Sequence, residues 1–220
     1  MISMSLKKND FVEIEFTGTI LDSGEVFDTN VVAEAKKIGL DEKKIKPFAM
    51  AVGQKMLPPG FDADLEGKDV GQSYSVELEP EKAFGLRNKD MIKMIPTKLF
   101  HEQQIDPQRG MQLSLDGQLV KVLSSDRGRT LIDFNNPLAG KKIKYDYKIL
   151  KAIEDESDKV NALQDFLFRQ KFGFSKKDNK IVFQVQKEFG PVIKMFAEKF
   201  KEILGIDIES EIVEKKKAKK

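Results

Sequence analysis

Apolar and polar residues alternate along three stretches of this chain: Val12, Ile14 and Phe16; Tyr74, Val76 and Leu78; and Ile143, Tyr145, Tyr147 and Ile149. A period of two puts successive side chains on opposite faces, so each stretch predicts a half-buried antiparallel strand. Between the first two, "PPGFDADLEG" predicts a short helix, which Pro58 and Pro59 open and Gly67 closes, with Phe61 and Leu65 on one face at i, i+4. One short helix against a curved antiparallel sheet is the simplest packing of these elements, which makes the fold class α+β.

From Asn88 to Asn136 the texture changes. An apolar run "MIKMIPTKLF" leads into "MQLSLDGQLVKVLSSDRGRTLIDF", where Asp116-Gly117 and Arg127-Gly128 are placed as hairpin turns. This predicts a small β-rich unit. Strand-like segments flank it on both sides, so it reads as inserted: the first domain would comprise residues 1–87 and 137–153, and the insert residues 88–136. After "KAIEDESDK", Leu163, Phe166 and Leu167 keep helical spacing, as do Val192, Ile193, Phe196, Ala197, Phe200, Ile203 and Leu204. "KIVFQV" and "IDIESEIV" read as strands, so residues 154–220 are expected to form an αβαβ unit. Roughly 65 residues with so many large apolar side chains would be marginal alone, so burial against a partner surface is expected, a homodimer being the simplest form.

The chain has no cysteine and one histidine, His101. Disulfides, thiolate sites, a structural zinc and a histidine triad all fall away; only oxygen-ligand metals stay open, and neither a metal nor a cofactor is expected. The N-terminus lacks the apolar core of a signal peptide, and no run approaches the roughly 18 apolar residues of a membrane span, so a cytoplasmic protein is expected. The net charge of +2 includes five lysines in the tail "KKKAKK"; the remainder, with 33 basic and 36 acidic residues, carries about −3. The tail reads as a solvated extension, with weak attraction to RNA as the competing reading. Nucleic acid is not an expected partner: no aromatics interleave with the basic residues and no glycine loop is placed to cradle phosphate.

Four segments occur in order: "FTGTILDSGEVFDT", "KPFAMAVGQKMLPPGFDADLEG", "EPEKAFG" and "FNNPLAGKKIKYDYKIL". Together they resemble the FKBP-type peptidyl-prolyl cis-trans isomerases, specifically the SlyD-like branch with an insert in the flap and its long archaeal forms with an extra C-terminal domain. The family's Y-T-G, V-F-D, K-P-F, L-I-P-G-F, A-Y-G and N-x-P-L-A-G-K elements each have a counterpart, over about residues 7–153. The resemblance implies a sheet wrapped around a short helix. It also implies a prolyl pocket whose catalytic members would be Asp28, Phe27, Phe16, Phe84 and Tyr145, with Phe48, Leu57, Pro58, Phe61 and Leu138 binding substrate. Phe61 would form the floor. The insert would be a module that binds unfolded chains, through Met91, Ile92, Met94, Ile95, Leu99 and Phe100, although about half of these are needed for the insert's own core. The implied partners are unfolded or nascent polypeptides with X-Pro bonds, with a macrolide as a conceivable ligand.

Those residue types suit the chemistry. The barrier to rotating an X-Pro bond, roughly 18–20 kcal/mol, comes from amide resonance, and no covalent bond has to break. The planar amide is the more charge-separated state, so a dry aromatic box favours the twisted form relative to it. Asp28 would polarise or orient the twisted carbonyl; alternatively it caps a turn through backbone N–H groups. Phe16 and Phe84 stand where the family commonly has tyrosines, and Pro58 aligns with an isoleucine that offers a backbone N–H, unless Leu57 takes that place. Losing two hydroxyls and one donor, at about 0.5–1.5 kcal/mol each, implies an efficiency one to two orders of magnitude below a member that has all three. An FKBP-like holding chaperone with a degenerate pocket is therefore the alternative.

Overall fold

The computed structural model describes residues 5–213. The lysine run at 215–220 lies outside the described residues. In chain order the first elements are β1 (Phe11–Ile20), β2 (Val26–Thr29), α1 (Val32–Lys37), β3 (Phe48–Ala51), α2 (Pro59–Leu65) and β4 (Ser73–Leu78). Next come β5 (Ile92–Pro96), α3 (Thr97–His101), β6 (Gln112–Leu115), β7 (Gln118–Asp126), β8 (Arg129–Asp133) and β9 (Ile143–Ala152). The last are α4 (Glu156–Leu167), β10 (Gly173–Lys177), β11 (Lys180–Val185), α5 (Gly190–Met195), α6 (Ala197–Leu204) and β12 (Asp207–Ile212). The class is α+β with mostly antiparallel sheets, as the alternation predicts.

The three alternating stretches fall on β1, β4 and β9 of one sheet, ordered β2-β1-β9-β4 with β3 paired antiparallel to β1. Val12, Ile14 and Phe16 point inward from β1, and Ile143, Tyr145, Tyr147 and Ile149 from β9. Helix α2 starts where the double proline predicts it. Pro58, which lies just outside the helix, offers its carbonyl to the N–H groups of Phe61 and Asp62 at 2.9 and 3.0 Å. Phe61 and Leu65 are both wholly buried, on the shared face their spacing assigns.

The chain divides into two compact units. Of the described residues, one holds 5–18, 28–76 and 145–213; the other holds Thr19–Phe27 and Glu77–Lys144. In the second unit, β5-β8-β7-β6 form an antiparallel sheet. Both hairpin turns lie where the dipeptides predict. Asp116 and Gly117 have φ of 50° and 77°, and Arg127 and Gly128 have 48° and 76°. Two successive left-handed residues make the tight turn whose twist matches that of the flanking strands. Phe100, Val120, Val122 and Ile132 form the core under this sheet.

The C-terminal segment keeps the predicted helix, strand, helix, strand order with two additions. Strand β10 pairs antiparallel to β11, and the second helical stretch is broken at Phe196 into α5 and α6. Only Phe174 is strongly apolar in "GFSKK", so β10 carries no alternation to read. Strand β12 lies parallel to β11, which leaves β10 and β12 as the sheet edges. Phe183 and Phe200 are sealed inside, and the Phe168 ring meets both at 5.7 and 5.8 Å. This segment also has a partner within its own chain, since α4 packs on β3. Ile153 donates to the Phe11 carbonyl at 2.7 Å, and Asn9 donates from Nδ2 to the Glu202 carbonyl at 3.3 Å.

Candidate active site

In the unit that carries helix α2, four of the expected aromatics converge. Phe61 stacks on Tyr145 of β9, with ring centroids 4.4 Å apart, and Phe16 of β1 meets Phe61 and Tyr145 edge-on at 5.9 and 5.7 Å. Phe48, from β3, stands edge-on to Phe16 at 6.5 Å. Phe61 is the deepest at 0% exposure, Tyr145 and Phe16 retain 2% and 7%, and Phe48 is half-buried. Burial thus falls off from Phe61 outward to Phe48. Leu57 and Pro58, half-buried, lead directly into α2.

Asp28 lies on β2, two residues before a clip that fixes the strand. Asn30 Oδ1 accepts the Phe16 N–H at 2.6 Å while its Nδ2 donates to the Ile14 carbonyl at 2.9 Å, and the Thr29 hydroxyl donates to the Phe16 carbonyl at 3.1 Å. The clip ties the carboxylate's strand to the strand that carries Phe16. The Asp28 side of β2 faces solvent, and the residue is exposed. Even so, lost hydration holds its carboxyl above the ordinary value of 3.8, opposed by the Thr29 backbone N–H. The Tyr145 hydroxyl is pushed far up by burial, and the negative charge of Asp28 adds to the effect.

In the unit that carries β5–β8, Phe27 and Phe84 meet edge-on at 5.8 Å. Phe84 sits inside a tight turn in which the Pro80 carbonyl accepts from Ala83 and Gly85 at 3.1 and 2.7 Å. Leu138 and Phe27 line one cleft of about 960 Å³. The apolar run divides between surface and interior. Met91, Met94 and Leu99 are exposed and Ile92 is half-buried, whereas Ile95 packs against the core and Phe100, at 4% exposure, belongs to it. Phe100 is therefore an anchor of the unit and does not offer client surface.

A family model described as FKBP-type peptidyl-prolyl cis-trans isomerase matches residues 3–101, and one described as FKBP26, IF domain, matches residues 93–138. A short-type peptidyl-prolyl cis-trans isomerase of Methanocaldococcus jannaschii is 32% identical over 155 residues, which cover 70% of this chain and 98% of that one. The chain belongs to the FKBP-type peptidyl-prolyl cis-trans isomerases. An FKBP-type isomerase named SlyD from Aeromonas hydrophila is 30% identical over 131 residues, 59% of this chain and 56% of that one. The FKBP-type 16 kDa isomerase of Escherichia coli is 29% identical over 154 residues, 68% of this chain and 95% of that one.

Two supporting residues of this FKBP-type chain escape a reading by motif. Asn30 is one, and the "DTN" that follows Phe27 is its only signal: a short amide or hydroxyl after a strand readily binds nearby backbone. Asp62 is the other. It is buried beside Phe61, and its two carboxylate oxygens accept the N–H groups of Gly53 and Lys55 at 2.9 and 2.7 Å, holding the loop before Leu57. The acidic residue after the helix-opening Pro-Gly-Phe gave a hint, but the N–H groups it accepts from are nine and seven residues upstream. Among the described residues no helix is long and apolar enough to cross a membrane.

Proposed function

We propose that this chain isomerises X-Pro bonds in unfolded or nascent polypeptides at a site floored by Phe61 and walled by Phe16, Phe48 and Tyr145. Leu57 and Pro58 would form the rim. The observation that carries this reading is the aromatic cluster around Phe61, with Asp28 on the strand that Asn30 clips to the strand of Phe16. No nucleophile is needed, because a desolvated prolyl amide lies closer to its twisted state, and a carboxylate whose hydration is already reduced interacts more strongly with the rotating carbonyl group. Asp28→Ala is expected to lower the kcat/KM for a proline tetrapeptide ten-fold or more with the circular dichroism spectrum retained. Wild-type turnover in that variant would remove Asp28 from the site.

The insert at 88–136 would hold clients through Met91, Ile92, Met94 and Leu99, with flexible thioethers suited to varied sequences. A tether that keeps a client near the site raises the effective concentration of its prolines into the millimolar range. A holding chaperone with weak chemistry is the second reading, favoured by phenylalanine in place of tyrosine at Phe16 and Phe84. A macrolide competing in the tetrapeptide assay separates the two, since inhibition requires a working pocket. The C-terminal segment would dimerise through the open edge of β12 and the exposed Met195 and Ile212. Light scattering on the full chain tests that assignment. The absence of cysteine suits a reducing cytoplasm.

A further inference from the structure

We propose that Tyr147 and Asp64 are positioning residues of the isomerase: the bond between them fixes helix α2 against β9 and so sets where Phe61 stands beneath the prolyl ring. The inference rests on the reading of Phe61 as the floor of the site. The Tyr147 hydroxyl donates to Asp64 Oδ2 at 2.6 Å, and Lys68 Nζ lies 3.4 Å from Oδ1, so each carboxylate oxygen has its own partner. Tyr147 is 3% exposed. Burial first, and the bond to Asp64 second, push its hydroxyl far up in pKa, so it stays protonated and remains a donor.

Helix α2 does not hold itself in place. Its seven residues are too few for a helix that is stable alone, so its position comes from what grips it. Two of its carboxylates do so in different directions. Asp62 takes the N–H groups of Gly53 and Lys55 in the loop ahead of the helix, and Asp64 takes the hydroxyl from β9. Phe61 and Asp64, three apart, are neighbours on the helix surface, and Tyr145 and Tyr147, two apart, share one face of the strand. Both tyrosine rings meet Phe61, with centroids at 4.4 and 4.8 Å. Apolar ring contact has no preferred direction, whereas a short hydrogen bond does, so the hydroxyl is what locks the register of helix on strand.

The register matters to the reaction because the twisted amide must fit the site better than the planar one does. A floor displaced by a fraction of an ångström weakens that difference, which appears in kcat. A bond that only stabilised the fold would leave the kcat of folded molecules unchanged. Lys68 keeps Asp64 paired when the hydroxyl is removed, and its Nζ also stands 4.9 Å from the centroid of the Tyr74 ring, which packs on Tyr147 at 5.6 Å.

The test uses the full chain and a proline tetrapeptide in a protease-free assay, with kcat and KM determined separately at a temperature where unfolding curves show every variant folded. Tyr147→Phe is expected to lower kcat about five-fold and leave KM within about two-fold. Asp64→Ala should do the same, and the double variant should lose no more than either alone. Asp64→Asn, whose amide oxygen still accepts from the hydroxyl, should keep kcat. Wild-type kcat in Tyr147→Phe overturns the proposal, as do losses that multiply in the double variant or a loss in Asp64→Asn equal to that in Asp64→Ala. Phe61→Leu separates the two readings: if it lowers kcat while Tyr147→Phe does not, the tether fails and the floor stands, whereas wild-type kcat in Phe61→Leu removes the floor itself.

Discussion

Around Phe61 the large side chains are sealed: Phe61 has no exposed surface, and Phe16, Tyr145 and Tyr147 close over it within one sheet and one helix. In the β5–β8 unit the buried core is smaller, four residues around Phe100, while Leu86, Met91, Met94, Leu99 and Leu119 stay in solvent. There, polar bonds do more of the holding. Arg87 donates to Asp133 Oδ2 at 2.8 Å, Asn135 donates to Asp133 Oδ1 at 2.6 Å, and the Asn88 N–H donates to Asn135 at 2.8 Å, which joins the chain entering the sheet to the chain leaving it. The difference teaches how one chain carries both a sealed aromatic cluster and a surface of bare apolar side chains. Burying the aromatics fixes the first, and a hydrogen-bonded clamp at the base lets the second keep apolar residues exposed.

The comparison breaks most visibly at its packed end. Phe61→Ala is expected to cost about 3–5 kcal/mol in denaturant unfolding, as for a buried aromatic whose cavity cannot collapse. A cost near that of a surface substitution would mean the cluster is not a platform. Next in size is the clamp. Asp133→Ala strands Arg87 and Asn135 and should cost about 1–3 kcal/mol, read as faster hydrogen exchange at Val122 and Ile132 with the β1 and β9 amides unchanged. Equal acceleration in both regions would show that they open together.

Acid sharpens the same contrast. Burial alone would raise the Asp133 carboxyl, but bonds from the Asn135 side chain and backbone and from Arg87 outweigh it and hold it below its ordinary 3.8. A depressed carboxyl contributes stability that is present above the unfolded value and lost as pH falls through the folded one. Protection of the β7 and β8 amides should therefore decline below pH about 4, and should not do so in Asp133→Asn. Asp28 has the opposite shift, above 3.8, so tetrapeptide turnover should fall on acidification with a midpoint above that value. A pH-independent rate would exclude a charged Asp28 from the reaction. The smallest effect is expected at Leu99→Ser, within about 0.5 kcal/mol on stability because the side chain is exposed, with weaker retention of an unfolded client as its readout.

Much of this architecture is legible one segment at a time. Alternation at Val12, Ile14 and Phe16 fixes a strand and its inward face, Pro58 and Pro59 fix a helix start, and Asp116-Gly117 fixes a turn, because each is governed by sterics within a few residues. The motif set also pointed to Phe16, Phe48, Phe61 and Tyr145, which the fold brings into contact. Other features depended on surfaces supplied from far along the chain. Leu99 and Phe100 are adjacent and both apolar, yet only Phe100 enters the core, because β7 and β8 cover one side of α3 and leave the other bare. Asp62 and Asn30 gain their roles from backbone groups of other segments. Strand β10 exists because β11 offers it a ladder of partners. The C-terminal helix α4 found its cover on β3 of the same chain. Local sequence specifies which groups need burial or a partner, and only the assembled fold determines which distant residues supply them.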